Sequence, residues 1–205
     1  QAMARTKNQK KSAGSKKASG STRGKNSFGN LHGLFILKLQ SLYDVEQELA
    51  KVLPKLAKHS SNEELRMAFK QHLKETSGHV KRLEKAFKIL GETPKKEKVE
   101  GIRGIAEDGS WVMKNVRDEA ARDAAIIGAA QYAEHYEIAG YGTACEWAEL
   151  MGHDEVADLL KETLAEEEAA NEKLSSLAEG GINEEANDME EERDTKKRGV
   201  LGTWM

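Results

Sequence analysis

Glutamate and histidine residues interrupt the apolar faces of four segments in this 205-residue sequence, each segment having the periodicity of an amphipathic helix. Buried carboxylates that lie close together repel one another, and this repulsion raises their pKa values unless a cation compensates the charge. Two divalent metal ions bridged by glutamates would provide that compensation, and carboxylate with imidazole ligands suits iron or manganese. We therefore predict a dinuclear Fe or Mn site in a protein core. The predicted ligands are Glu46, Glu75, His79, Glu134, Glu137 and Glu167.

A second interpretation of the same residues stays open at this stage. A sequence this rich in glutamate exposes many carboxylates to water, and positions at the boundary of an apolar stripe are often half exposed. By the same reasoning we interpret His72 as a hydrogen-bonded boundary residue and leave it out of the ligand set. The coincidence of such residues on four separate segments favours the metal site.

The spacing of apolar residues places the interrupting groups on helices. Glu46 lies within a stripe with steps of three and four residues, which Pro54 is expected to kink or end. A serine at position 61, followed three residues later by Glu64, has the form of a capping box and predicts the start of a second helix. Two further helices are predicted over about 118–151 and 154–179. Their stripes contain Glu134, Glu137 and Glu167.

The lengths of the connections define the fold class. Short turns join the first helix to the second and the third to the fourth, so each pair is antiparallel. Residues 92–117 are long enough to run the length of the bundle and to contain a short helix of their own. Two helical hairpins joined by a long crossover form the ferritin-like topology. We predict an all-α, ferritin-like four-helix bundle with a long crossover that carries a short extra helix.

The distribution of charge divides the chain into three parts. Residues 1–28 contain many Lys and Arg and no acid, and they read as a basic disordered tail. The bundle is predicted over 29–181, and residues 182–205 form an acidic, mobile C-terminal tail. Lys and Arg at positions 5–25 predict non-specific contact with DNA phosphates, against the alternative of a solubilising tail.

Other features of the composition bear on location. The lone Cys145 cannot form an internal disulfide, and it is expected to be buried packing. No apolar run approaches the roughly 20 residues that a bilayer span requires. A cytoplasmic protein without a membrane contact is the resulting expectation.

Several stretches resemble the bacterial YciE/YciF-like proteins, and the resemblance covers about residues 31–180. The most specific stretch is EHYEIAGYG at 134–142, and the others are LYDVE at 42–46, LKET with His79 at 73–79, and KETLAEEE at 161–168. The resemblance implies a ferritin-like stress protein that forms a homodimer and has a di-metal site. The general di-iron pattern contains Glu-x-x-His on two helices, whereas Glu75 and His79 are one residue further apart. Asn171 stands where a histidine or an acid is expected, which predicts a weakly occupied second metal position.

Two functional hypotheses follow. The first is a di-metal protein with oxidase or peroxidase-type reactivity toward O2 or peroxide. The second is a bundle without catalysis, which binds DNA or a protein partner through its charged tails.

Overall fold

All regular elements in the described part of the chain are helical. The computed structural model describes residues 29–188, so the predicted basic tail and the acidic segment beyond residue 188 lie outside it. The described elements are α1 (Leu31–His59), α2 (Glu63–Ile89), α3 (Glu100–Asn115), α4 (Glu119–Leu150) and α5 (Asp154–Leu177), followed by a π-helical turn at Ala178–Ile182. Residues 183–188 are again helical. The all-α prediction is confirmed, and α3 is the short helix expected in the crossover.

The packing of the helices gives the ferritin-like arrangement. Residues 60–62 join α1 to α2 and residues 151–153 join α4 to α5, so both pairs are antiparallel hairpins. Helix α2 packs beside α5, and α1 packs beside α4. The crossover returns along α1, where the backbone N–H of Glu97 donates to the Gln40 carbonyl at 3.1 Å. The buried Asp44 carboxylate then holds this segment, because it accepts hydrogen bonds from the Val99 N–H at 2.9 Å and from Arg103 at 2.7 Å.

The start of α2 differs from the sequence prediction. Asn62 is the N-cap, since its side chain accepts a hydrogen bond from the Leu65 N–H at 3.0 Å. The predicted capping box at Ser61 is therefore wrong. Ser61 instead donates through its N–H at 3.0 Å and its hydroxyl at 2.6 Å to the buried Asp123 carboxylate of α4. This contact places the first turns of α2 and α4 at the same end of the bundle. Helix α1 continues through Pro54, so the proline does not end it.

Two apolar clusters fill the two ends of the bundle and leave a polar layer between them. In α1, Leu39 and Leu42 belong to one cluster, Leu53 and Leu56 to the other, and Glu46 lies between them in sequence. The other core helices follow the same order. Because apolar packing closes both ends, the polar groups of the middle layer are shielded from water.

Close approach of α1 and α4 also shapes this layer. A Cβ atom built on Gly140 would lie 2.9 Å from Leu42 Cδ2, so a larger residue there would require the Leu42 side chain to shift. Within residues 29–188, none of the helices is long and apolar enough to cross a bilayer.

Candidate metal centre

Five of the six predicted ligands come together in the polar layer, and His72 joins them. One group consists of Glu46, His79 and Glu167, and the other consists of His72, Glu134, Glu137 and Glu167. Within each group, the atoms that could bind a metal all lie within 4.8 Å of one another, and every member is buried. Glu167 belongs to both groups, which places its carboxylate between two candidate ion positions. The alternative of solvated glutamates is wrong for these residues.

Helix α2 supplies both histidines because they are seven residues apart. Two helical turns separate them, so they point to nearly the same side of the helix, about 20° apart. Their ring centroids are 6.2 Å apart. This spacing assigns one imidazole to each group of carboxylates.

His79 has one nitrogen in the centre and the other outside it. Its Nδ1 lies 3.3 Å from Glu46 Oε2 and 2.9 Å from Glu167 Oε1. Its Nε2 lies 2.8 Å from Glu166 Oε2, and Arg82 holds that carboxylate through hydrogen bonds of 2.7 and 2.8 Å. When Nε2 carries the proton that Glu166 accepts, the neutral imidazole directs its Nδ1 lone pair into the centre. Such outer carboxylates orient metal-binding histidines in many proteins.

His72 also has one nitrogen in the centre and one outside it, but here the inner nitrogen is Nε2. Its Nδ1 lies 3.4 Å from Glu75 Oε2, whereas its Nε2 faces Glu134 at 3.4 Å and Glu167 at 3.5 Å. Glu75, the sixth predicted ligand, therefore lies outside both groups and is 29% exposed. His72 was expected at the boundary, but it is only 6% exposed and belongs to the centre.

Tyr141 closes the centre beside Glu46. Its buried hydroxyl donates a hydrogen bond to Glu46 Oε1, as expected for a core tyrosine with a satisfied hydroxyl. Burial, together with the charge of Glu46, raises the pKa of Tyr141 well above its usual value. The phenol therefore stays protonated at neutral pH and acts as a donor. Cys145 is buried, as predicted.

The centre contains polar atoms that protein groups leave without partners. Among residues 29–188, eight buried side-chain nitrogen and oxygen atoms make no hydrogen bond. A buried polar group without a partner costs about 1–3 kcal/mol, and a charged one more. His79 Nδ1 is among the eight, because its approach to Glu167 is not aligned for a hydrogen bond. The eight atoms are Glu46 Oε2, His79 Nδ1, Glu134 Oε2, both carboxylate oxygens of Glu137, both of Glu167, and Asn171 Oδ1.

This donor set fits a pair of divalent cations. The two groups contain four carboxylates in total, with a formal charge of −4 when ionised, and two divalent ions would carry +4. Lone pairs that lack hydrogen bonds would then face positive charge. Oxygen ligands with one imidazole at each position suit iron and manganese.

Protons replace this missing charge when no cation is bound. Burial, followed by repulsion from neighbouring carboxylates, raises the pKa of Glu137 well above its usual value. Burial likewise raises the pKa of Glu134 to about 8, against a partly compensating attraction to His72. Burial would lower the pKa of the imidazoles, but the surrounding carboxylates outweigh it. They raise the pKa of His72 to about 9 and that of His79 to about 10. The metal-free centre therefore binds protons that a cation would displace.

A groove between α2 and α5 connects the surface to one side of the centre. Its cavity volume is about 580 Å³, and its lining includes His72, Glu75 and Glu134. The walls are mainly apolar, with Phe69 and Leu174 among them. The groove reaches the His72 group, so a small molecule could approach that candidate ion position from solvent.

Sequence reasoning did not place three residues in the centre, namely His72, Arg82 and Glu166. For His72, the available signal was its seven-residue spacing from His79. Arg82, three residues after His79, and Glu166, next to Glu167, read as ordinary charged residues of a solvated helix face. Only the neighbouring helix reveals that these two side chains meet.

Comparisons with known proteins agree with this fold. A family model described as a domain of unknown function (DUF892) matches residues 30–187. Protein YciF from Escherichia coli (strain K12) is 40% identical over 157 residues, which is 76% of this chain and 95% of that protein.

Solved structures extend the comparison. The crystal structure of the E. coli stress protein YciF has a TM-score of 0.73 at 40% identity, and the match covers 75% of this chain and 98% of that one. YcfI from Rhodopseudomonas palustris also has a TM-score of 0.73, at 36% identity and with the same coverage. A protein from Xanthomonas campestris pv. campestris shares the fold, with a TM-score of 0.63 at 20% identity over 80% of this chain and 99% of that one. The resemblance to YciF-like proteins is confirmed, and the chain belongs to the DUF892 family.

Proposed function

We propose that this chain holds two iron or manganese ions in its bundle core and reacts with peroxide or dioxygen as part of a stress response. The stress context comes from its relative, the E. coli stress protein YciF. The observation that carries the metal proposal is the cluster of buried ligand atoms without hydrogen-bond partners. A purely structural core would not retain so many.

The two groups divide the proposed ligands. Glu46 and His79 would hold one ion, His72, Glu134 and Glu137 would hold the other, and Glu167 would be shared. A pair of divalent iron or manganese ions held there would supply one electron each, and two electrons reduce hydrogen peroxide to two hydroxide ions.

The chain's own residues would prepare the centre for this reaction. Glu166 orients His79, and Arg82 keeps Glu166 ionised, since its hydrogen bonds lower the pKa of that carboxyl. The apolar walls of the groove limit water and admit a small oxidant to the His72 side. Tyr141 holds Glu46 in place by its hydrogen bond.

Metal content tests this proposal directly. The protein is reconstituted anaerobically with Fe(II) or Mn(II), and metal per chain is measured for the wild type, Glu167→Ala and Glu168→Ala. Glu168 is the exposed neighbour of Glu167 and serves as the matched control. We expect two ions per chain in the wild type and the control, in line with the two groups, and a loss in Glu167→Ala because both groups use it.

The reaction is then followed as oxidation of the Fe(II)-loaded protein by hydrogen peroxide or O2 in a stopped-flow spectrometer. A wild-type protein that retains no metal after reconstitution would refute the whole proposal. Retained metal that neither oxidant oxidises would refute the reactivity alone. The homodimer, the DNA contact at positions 5–25 and the cytoplasmic location remain predictions.

A further inference from the structure

One of the eight unpartnered buried atoms belongs to a residue outside both ligand groups. It is Asn171 Oδ1. The other seven all belong to Glu46, His79, Glu134, Glu137 and Glu167. We infer that Asn171 is a neutral oxygen ligand of the ion position formed by His72, Glu134 and Glu137. This inference rests on the proposed function and specifies the coordination of its second ion.

The register of α4 and α5 places Asn171 at the level of Glu134. Gln131 Nε2 of α4 donates a hydrogen bond to Ser175 Oγ of α5 at 2.9 Å, and this contact aligns the two antiparallel helices. Glu134 lies three residues beyond Gln131, and Asn171 lies four residues before Ser175. At 1.5 Å per residue, these steps bring the two residues to within about 1.5 Å of the same height along the bundle.

Asn171 also shares a helix face with the bridging glutamate. It follows Glu167 by four residues, so the two side chains leave α5 about 40° apart. Glu167 is fully buried in the centre. Asn171 Oδ1 is therefore directed toward the same polar layer, one helical turn beyond Glu167.

A structural asparagine would normally use this oxygen. Most buried side-chain polar atoms have a hydrogen-bond partner, because leaving one without a partner costs about 1–3 kcal/mol. Asn171 Oδ1 has no such partner, although it is inaccessible to solvent. A cation would satisfy its lone pairs as it would those of the glutamates.

The neutrality of the amide matters for the charge balance. The four carboxylates of the two groups already balance two divalent ions. An amide oxygen adds a ligand without adding charge, whereas a fifth carboxylate would leave the loaded centre negative and the metal-free centre more repulsive. Asparagine at this position thus keeps the centre matched to two ions in the divalent state.

The test uses the full chain with Asn171→Leu, Asn171→Asp and the control Asn187→Leu, which changes an exposed asparagine. Mn(II) binding is measured by anaerobic titration calorimetry, and the thermal midpoint of each metal-free protein is measured by circular dichroism. In Asn171→Leu, we expect the ion at Glu46 and His79 to bind as in the wild type. The ion at the His72 group should bind at least about tenfold more weakly. A tenfold loss is the lower end of the losses seen when an outer partner of a metal site is removed.

Metal-free stability supplies the second readout. The thermal midpoint of metal-free Asn171→Leu should equal or exceed that of the wild type, because the substitution removes a buried atom that has no partner. Asn171→Asp should bind Mn(II) more tightly and have a lower metal-free midpoint, because its added carboxylate repels the others.

Unchanged affinity for both ions in Asn171→Leu would overturn the inference and leave the proposed function intact. A lower metal-free midpoint in Asn171→Leu than in Asn187→Leu would also overturn it, since that result indicates a structural hydrogen bond. If the wild type binds no Mn(II), both the inference and the proposed function fail.

Discussion

Glu137 offers a direct test of the proposal that the centre binds cations and does not serve the stability of the metal-free bundle. Its side chain is 1% exposed, and both of its carboxylate oxygens lack hydrogen-bond partners. Methionine has a similar length, so Glu137→Met should fill the same space with an apolar group. The substitution removes one of the proposed ligands of the His72 group.

The expected magnitude follows from burial. Removing a buried polar group that has no partner recovers about 1–3 kcal/mol. Burying a methionine side chain contributes about 1.5–3 kcal/mol. The metal-free variant should therefore be more stable than the metal-free wild type by about 2.5–6 kcal/mol. For a domain of about 150–250 residues, 1 kcal/mol shifts the thermal midpoint by about 2–4 °C, so we expect a rise of about 5–24 °C.

Bound metal should stabilise the wild type more than it stabilises Glu137→Met. An ion present at about 100 times its Kd stabilises the folded state by about 2.7 kcal/mol. The wild type should gain this amount from each of two ions, whereas Glu137→Met should gain it from no more than the ion at Glu46 and His79. Differential scanning calorimetry with and without Mn(II) measures both quantities.

The matched control is Glu146→Met, which changes an exposed glutamate of the same helix. Its metal-free midpoint and its gain from Mn(II) should stay close to those of the wild type. A metal-free Glu137→Met protein that is less stable than the wild type would refute the reasoning. So would a gain from Mn(II) as large as that of the wild type.

Two further predictions concern the histidines. Because the folded-state pKa values of His72 (about 9) and His79 (about 10) lie above the ordinary 6.5, their contribution to the stability of the metal-free protein is complete below pH 6.5 and is lost as the pH rises to about 10. The thermal midpoint of metal-free protein should fall across that interval, and a flat or rising midpoint in a pH series would contradict the prediction. In Glu166→Gln, the side-chain amide can donate a hydrogen bond to His79 Nε2 and favour the tautomer whose Nδ1 carries the proton. The affinity for the ion proposed at Glu46 and His79 should then fall about 10–100-fold. Calorimetric titration of this variant beside Glu168→Gln checks it, and equal affinities in the two would show that Glu166 does not orient the imidazole.

The helices and most of the centre follow from local pattern. Spacings of three and four residues identify the face that each helix buries, and the glutamates at 46, 134, 137 and 167 were found because each replaces an apolar residue on such a face. Glycines also follow the C-terminal ends of α2 and α4. Gly91 and Gly152 have φ angles of 71° and 73°, which favour glycine.

Tertiary contacts decided the details that a single helix leaves open. Helical periodicity defines a face only to within an arc, and side chains about 60° apart on that arc can have different neighbours. Glu75 and His72 both fall within it, but the position of α5 admits the imidazole to the centre and leaves the carboxylate at the groove. The sequence by itself therefore determined the four-helix bundle and the glutamate and histidine side chains buried in its core. Which nitrogen of each histidine faces the centre, and which carboxylate supports the other, was decided only when α2 packed against α5.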